Sequence, residues 1–247
     1  MQGRGGAGVT RNVALFATCL GDQLWPEVVE ATVAVLERAG CRVTFDPAQT
    51  CCAQPAFNSG YHDEAKAVAR RFVEIFERAD AIVAPSGSCT AMVHRYPELF
   101  RDEPEWRARA EAVAHKAHEL SAFLVRELGV VDLGARLSAR VAWHDACHAL
   151  RELGVRDEPR RLLRAVAGLE LVELRTGEAC CGFGGTFAVK VPELSTAMLD
   201  HKLSGLGDRV DVLSAVDSSC LMQMRGRLQR QGSRVRAMHL AEILASR

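Results

Sequence analysis

Cysteine recurs in this chain at a nearly constant interval. Cys19 and Cys147 lie 128 residues apart, the pairs Cys51-Cys52 and Cys180-Cys181 lie 129 apart, and Cys89 and Cys220 lie 131 apart. Each position follows a short apolar run and precedes a helical pattern, so context repeats along with spacing. The segments Leu120-Ser121-Ala122-Phe123-Leu124 and Leu240-Ala241-Glu242-Ile243-Leu244 extend the match. Such a chain reads as a tandem duplication, and whatever fold it takes must be taken twice.

Apolar runs at 12–18, 42–45 and 81–84 read as buried strands, and helical spacing at 27–39, 61–79 and 105–128 reads as amphipathic helices. Gly40 and Gly129 mark helix ends. The second half begins again with strands at 140–143, 169–174 and 210–215 and helices at 158–166 and 193–203. A closing strand at 235–238 and a short helix at 240–245 finish it. Strands alternating with helices predict parallel sheets with right-handed crossovers. The expected fold is α/β, with two tandem-duplicated domains at 12–134 and 135–247. Each is a small, mainly parallel sheet with flanking helices, and a pseudo-two-fold relates them. Residues 1–11, rich in Gly and Arg without periodicity, read as a disordered leader.

In a parallel sheet all strand carboxyl ends share one edge, which is where ligands bind. All eight repeated cysteines fall just beyond a predicted strand. The topology alone therefore gathers two groups of four thiols, Cys19, Cys51, Cys52 and Cys89 in one, and Cys147, Cys180, Cys181 and Cys220 in the other. Neighbouring strands sit roughly 4.8 Å apart, so three adjacent strand ends can surround a small inorganic core.

Composition narrows the setting. Lys+Arg and Asp+Glu both number 31, which points to neither nucleic acid nor an anionic membrane surface. A spanning helix needs about 20 predominantly apolar residues, and the longest apolar runs, such as 13–17 and 81–84, are far shorter. Residues 13–20 resemble a weak signal-peptide core, but Gly21-Asp22 follows directly and a buried strand is the better reading. The expected location is the cytoplasm. Nine cysteines in a reducing compartment are not a disulfide framework, so they call for metal, redox chemistry or simple burial.

Structural zinc sites usually take two close pairs of the C-x-x-C kind. Each half here has one close pair, and it is directly adjacent. An iron–sulfur cluster is larger and suits separately delivered ligands. Helices starting just after the cysteines would also aim backbone N–H groups at an anionic cluster. A metal-free catalytic dithiol and zinc stay open as alternatives. Inert burial suits Cys41, which has no counterpart in the second half.

The chain resembles the cysteine-rich (CCG) domain family of iron–sulfur oxidoreductases over nearly its whole length after the leader. The likeness is carried by Thr18-Cys19-Leu20-Gly21-Asp22, Cys51-Cys52-Ala53-Gln54-Pro55 and Pro85-Ser86-Gly87-Ser88-Cys89, and by Cys180-Cys181-Gly182-Phe183-Gly184-Gly185 and Asp217-Ser218-Ser219-Cys220. The resemblance implies an electron-transfer subunit of a complex that oxidises L-lactate to pyruvate. It further implies one 4Fe–4S-type cluster per domain on the eight named cysteines. Partners would be other iron–sulfur and accessory subunits, and the small hydroxy acid would be the substrate of the complex. Related heterodisulfide reductases hold non-cubane clusters on five cysteines, ending in C-x-x-C. Here Ser86 and Asp217 stand where the first cysteine of each such motif would fall, which makes them possible extra ligands. A heterodisulfide-reductase-like thiol–disulfide or quinone reductase subunit is the alternative function, and a zinc-stabilised assembly module a third. Ala53 stands where the second half has Gly182, and its methyl would restrict a loop at positive φ.

His144, Asp145 and His148 bracket Cys147, while His62 and Asp63 follow Cys51-Cys52. His144 and His148 are candidates for proton handling beside a redox centre. Helix capping by Asp145 and Asp63 is the competing reading. Lys190 and Arg151 could attract a carboxylate, although solvation explains them equally well.

Overall fold

The computed structural model describes residues 11–247. The leader expected at 1–11 lies outside the described residues except for Arg11, which opens the first strand.

The first sheet contains β1 (Arg11–Leu15), β2 (Cys41–Thr44), β3 (Ile82–Ala84) and β4 (Ala117–Glu119). The helices between and after them are α1 (Cys19–Leu24), α2 (Pro26–Arg38), α3 (Gln54–Asn58), α4 (His62–Phe76), α5 (Gly87–His94), α6 (Tyr96–Leu99), α7 (Pro104–Ala114) and α8 (Leu120–Ala122). A π-helical turn, Phe123–Glu127, leads out of it. The second sheet contains β5 (Arg136–Trp143), β6 (Ala167–Glu173), β7 (Val212–Ala215) and β8 (Arg236–His239). Its helices are α9 (Cys147–Arg151), α10 (Asp157–Ala165), α11 (Phe187–Lys190), α12 (Pro192–Ser204), α13 (Ser218–Arg230) and α14 (Leu240–Ala245).

The strand orders are β2-β1-β3-β4 and β6-β5-β7-β8, and every pairing is parallel. The two sheets are thus the same sheet made twice, as the cysteine interval predicts. In each, the chain leaves the first strand to one side and returns on the other. That reversal opens a crevice at the carboxyl ends, between β1 and β3 and again between β5 and β7.

One expected element is replaced. The long helix at 105–128 ends at Ala114, and Ala117–Glu119 leaves it to pair with Ile82–Ala84. The run is rich in good helix formers, so local propensity favours helix throughout. Hydrogen bonding to the open edge of β3 overrides it. The repeat alignment already contains this strand, because β4 occupies the place of β8 immediately before the matched Leu120 and Leu240 segments.

The halves meet through exchanged partners. Helix α5 packs on α9 while α1 packs on α13, and α14 packs on α2 while α8 packs on α10. Because α9 repeats α1 and α13 repeats α5, these contacts swap under the duplication, which is the signature of a pseudo-two-fold. The α5–α9 contact is close enough that a Cβ on Gly87 would lie 2.4 Å from the Ala149 Cβ. One hydrophobic core runs through both halves, from Val13 and Leu36 to Trp143, Leu213 and Leu244. A second cluster, including Phe16, Phe72 and Tyr96, stays within the first half. Arg38 ties the junction further by donating to Leu244 O and Ala245 O, each at 3.0 Å, at the end of α14. Cys41 is buried in the shared core, as its bland reading predicts. Among the described residues no helix is long and apolar enough to cross a membrane.

Candidate metal centre

Each tetrad is assembled the same way. Cys19 and Cys147 open the short helices α1 and α9 that follow the central strands. The adjacent pairs sit in loops after β2 and β6, and Cys89 and Cys220 lie in the first turns of α5 and α13. In the first half Cys19 Sγ is 3.7 Å from Cys51 Sγ. In the second, Cys181 Sγ is 3.2 Å from Cys220 Sγ.

The bends that follow the paired cysteines need left-handed backbone. Gly182 has φ 80°, and a Cβ there would lie 2.4 Å from the Ser195 carbonyl oxygen. Ala53 takes the same conformation, at φ 70°, against the usual preference of an L-residue. The geometry turns an amide toward sulfur in both loops, from Ala53 N to Cys51 Sγ and from Gly182 N to Cys180 Sγ, each at 3.4 Å. Ser195 Oγ donates to Gly182 O at 2.7 Å and accepts from Gln223 Nε2 at 3.0 Å, which fixes the second loop from beneath.

The electrostatics of such packing are one-sided. Hydrogen bonds, from Cys19 first and Cys52 next, pull the Cys51 thiol down to about 3, while the bond to Cys51 pushes Cys19 and Cys52 well up. Bonds from Cys147 and Cys181 draw Cys180 down to about 2, and Cys147 and Cys181 move up in turn. Cys51 and Cys180 thus become thiolates readily, while Cys19, Cys52, Cys147 and Cys181 resist ionisation because they hydrogen-bond to that thiolate and are poorly solvated. A bound cationic centre removes that resistance by compensating every sulfur. Four converging thiols with backbone N–H donors beside them are a donor set that fits iron–sulfur or zinc chemistry.

The tetrads do not stand apart. All eight cysteines line a single cleft of about 210 Å³ at the junction of the two sheets. Ser86 and Asp217 line it too, and they bond to each other. Asp217 Oδ1 accepts from Ser86 Oγ at 2.7 Å, Ser88 Oγ at 2.7 Å and Ser88 N at 3.0 Å, while its Oδ2 is buried without a partner. Ser86 Oγ also accepts from Cys89 N at 3.1 Å, capping α5.

His144 is 1% exposed, with both ring nitrogens unpartnered. It groups with Cys181 and Cys220, whose ligand atoms and its own all fall within 4.8 Å of one another. Burial first, and the Lys202 cation second, push its pKa down to about 3, so the ring is neutral. His148 is half-buried, with Nδ1 3.6 Å from Cys147 Sγ and Nε2 3.7 Å from Glu152 Oε1. Asp145 does not cap α9. It takes a two-pronged bond from Arg160 at 2.8 Å on each oxygen and another from Trp143 Nε1 at 3.0 Å, since burial demands partners for a carboxylate. Burial raises its pKa, but Arg160 outweighs this and leaves it lowered. Asp63 makes no cap bond at α4 either, and His62 stacks on Phe57 with ring centroids 5.1 Å apart. Arg151 reaches Glu178 O at 3.4 Å on the surface.

The model of the cysteine-rich domain, CCG, matches twice, at 13–94 and 141–225. The lactate utilization protein A of an Exiguobacterium species is 52% identical over 94% of this chain and 96% of its own length. Its namesake from Bacillus velezensis is 50% identical over 95% and 99%. The chain belongs to the lactate utilization protein A family of CCG-domain proteins. A solved glutamate racemase from Campylobacter jejuni aligns over 95% of this chain and 83% of its own, with 10% identity and a TM-score of 0.34, too low to bear on either fold or chemistry.

Two buried charged residues of this CCG-domain protein, one beneath a cysteine loop and one at a strand end, escape sequence reasoning. Lys202 is fully buried in α12 and donates to Gly177 O beneath the Cys180-Cys181 loop. Its signal was available, because it shares the inward stripe of Ser195, Leu199 and Leu203. Glu119, at the end of β4, is 1% exposed with Oε1 unpartnered. It was hidden inside the expected long helix.

Proposed function

We propose that this chain is an iron–sulfur electron-transfer component of a lactate-utilisation system, working in the oxidation of L-lactate to pyruvate. The observation that carries it is the pair of four-thiol sets on one cleft, in a chain half identical to lactate utilization proteins. We take 12–134 and 135–247 as its two domains, each holding one 4Fe–4S-type cluster on Cys19, Cys51, Cys52 and Cys89, or on Cys147, Cys180, Cys181 and Cys220. Bound clusters supply reversible one-electron storage, and two of them match the two electrons that a hydroxy acid loses on becoming a keto acid. The chain's own part is to hold the sulfurs, to donate amides from Ala53 and Gly182, and to keep bulk water from the buried Cys52 and Cys181. Electrons enter or leave through partner subunits. Nine free thiols suit a reducing compartment, so we assign the protein to the cytoplasm.

Anaerobic purification or reconstitution, with iron, sulfide and electron paramagnetic resonance measured together, tests the reading. Brown protein with iron and acid-labile sulfide in cluster proportions is expected; colourless, iron-free protein after reconstitution defeats it. A zinc reading draws on one observation, the mixed set of His144, Cys181 and Cys220. Stoichiometric zinc without visible absorbance would select it.

A further inference from the structure

The duplication allows each residue of one tetrad to be compared with its copy in the other. Phe16 and His144 are copies. Each is one residue beyond the central strand, β1 or β5, and each donates its backbone N–H to the neighbouring strand, Phe16 to Val83 O at 2.9 Å and His144 to Ser214 O at 2.8 Å. Their neighbours are copies as well. Inward positions of α4 at Ala65, Ala69, Phe72 and Val73 repeat in α12 as Ser195, Leu199, Lys202 and Leu203. In the first half Phe16 packs edge-on against Phe72, with centroids 4.8 Å apart. In the second half that aromatic pair has become His144 and Lys202.

A buried imidazole with no partner on either nitrogen is costly, since a dehydrated polar group loses its water bonds without replacement. Nothing in the polypeptide offsets that cost. A metal bound by Cys181 and Cys220 would, because imidazole nitrogen ligates iron or zinc at about 2.0–2.1 Å and thiolate at about 2.3 Å. Those two sulfurs are 3.2 Å apart, and the ring nitrogen falls within 4.8 Å of both. Three donors from the first half hold Asp217 Oδ1, which leaves its unpartnered Oδ2 as a competing oxygen donor there.

We propose that a ring nitrogen of His144 is a metal ligand of the second centre, adding a nitrogen donor that the first centre, with Phe16 in its place, lacks. This rests on the iron–sulfur reading above. Exchanging or supplementing thiolate with neutral imidazole raises a cluster's reduction potential, so the second centre is the more oxidising of the two.

The test uses the full chain, reconstituted anaerobically with ferrous iron and sulfide, with histidine either unlabelled or carrying nitrogen-15. Pulsed electron paramagnetic resonance of the reduced protein should show a directly bonded histidine nitrogen that changes with the isotope. It should vanish in His144→Cys, which keeps a metal-binding side chain, and in His144→Phe, which copies the first half. It should survive in His148→Ala. Iron content in His144→Cys should match wild type, and the higher of the two potentials should fall. Iron and sulfide present without nitrogen coupling, or coupling lost only in His148→Ala, overturns the ligand assignment and leaves the cluster reading standing. Failure to incorporate iron and sulfide in the wild type defeats both.

Discussion

Ser86 of the first half donates its hydroxyl proton to Asp217 of the second at 2.7 Å. These are equivalent positions of the two halves, each just before the last cysteine of its tetrad, and the pseudo-two-fold brings them face to face. Two side chains that each read as a spare ligand for its own centre also join the halves in the lining of the cleft.

Removing that bond has a direct cost. Asp217→Ala takes the acceptor from three donors at the start of α5. It should lower stability by about 3 kcal/mol, since hydrogen bonds to a buried charged group are strong and their orphaned donors stay buried. Asp217→Asn keeps an oxygen in place and should lose less. Urea midpoints of the two variants check the order, and equal midpoints would remove the cross-half bond from the stability argument.

The paired loops both disfavour a methyl group, to different degrees. Gly182→Ala sets a Cβ against the Ser195 carbonyl at φ 80° and should cost about 3 kcal/mol or more. Ala53→Gly relieves an alanine held at φ 70° and should stabilise the fold by about 0.5 kcal/mol, the relief being partly cancelled by a freer unfolded chain. Thermal unfolding of the two single variants reads both signs.

Cluster retention should discriminate among the cysteines. Cys181→Ser should lose roughly half of the bound iron, since one tetrad of two is broken, an order-of-magnitude expectation from thiolate ligation. Cys41→Ser, in the core and away from the cleft, should retain all of it. Iron assays on the two proteins side by side suffice, and equal contents would count against the ligand set.

Glu119 predicts a pH effect. Burial, first, and the Asp217 carboxylate raise its pKa to about 7 from 4.5, against hydrogen bonds from Ser121 and Ala122. A group raised above its unfolded value stabilises fully below that unfolded pKa, and the contribution disappears as pH climbs through the folded one. Wild type should therefore lose about 2.5 kcal/mol relative to Glu119→Gln between pH 5 and 8. The buried His144 and His239, whose lowered pKa values act with the opposite sign, are common to both proteins and cancel. Denaturant unfolding at the two pH values measures the difference, and a constant offset would refute it.

Much of this was legible in the chain. The cysteine interval places Cys19, Cys51, Cys52 and Cys89 after parallel strands, and parallel strands leave only one edge for them. The strand at 117–119 was not legible locally, because its helix-forming residues obey a hydrogen-bonding edge that lies 35 positions earlier at Ile82. Nor was the common cleft. Facing of the two tetrads depends on how α5 meets α9 and how α1 meets α13, and short helices carry too few residues to declare a partner. His144 could be found as the copy of Phe16, but its unpartnered nitrogens exist only once the core has closed around them.

A symmetric homodimer of one such unit would be obliged to carry the same residue on both sides of its axis. Joining the copies in one chain lifts that obligation, and phenylalanine at 16 can have histidine at 144 as its counterpart. The surroundings of the two tetrads then differ. Direction, which a homodimer could never encode between its own two sites, becomes a property of a single polypeptide.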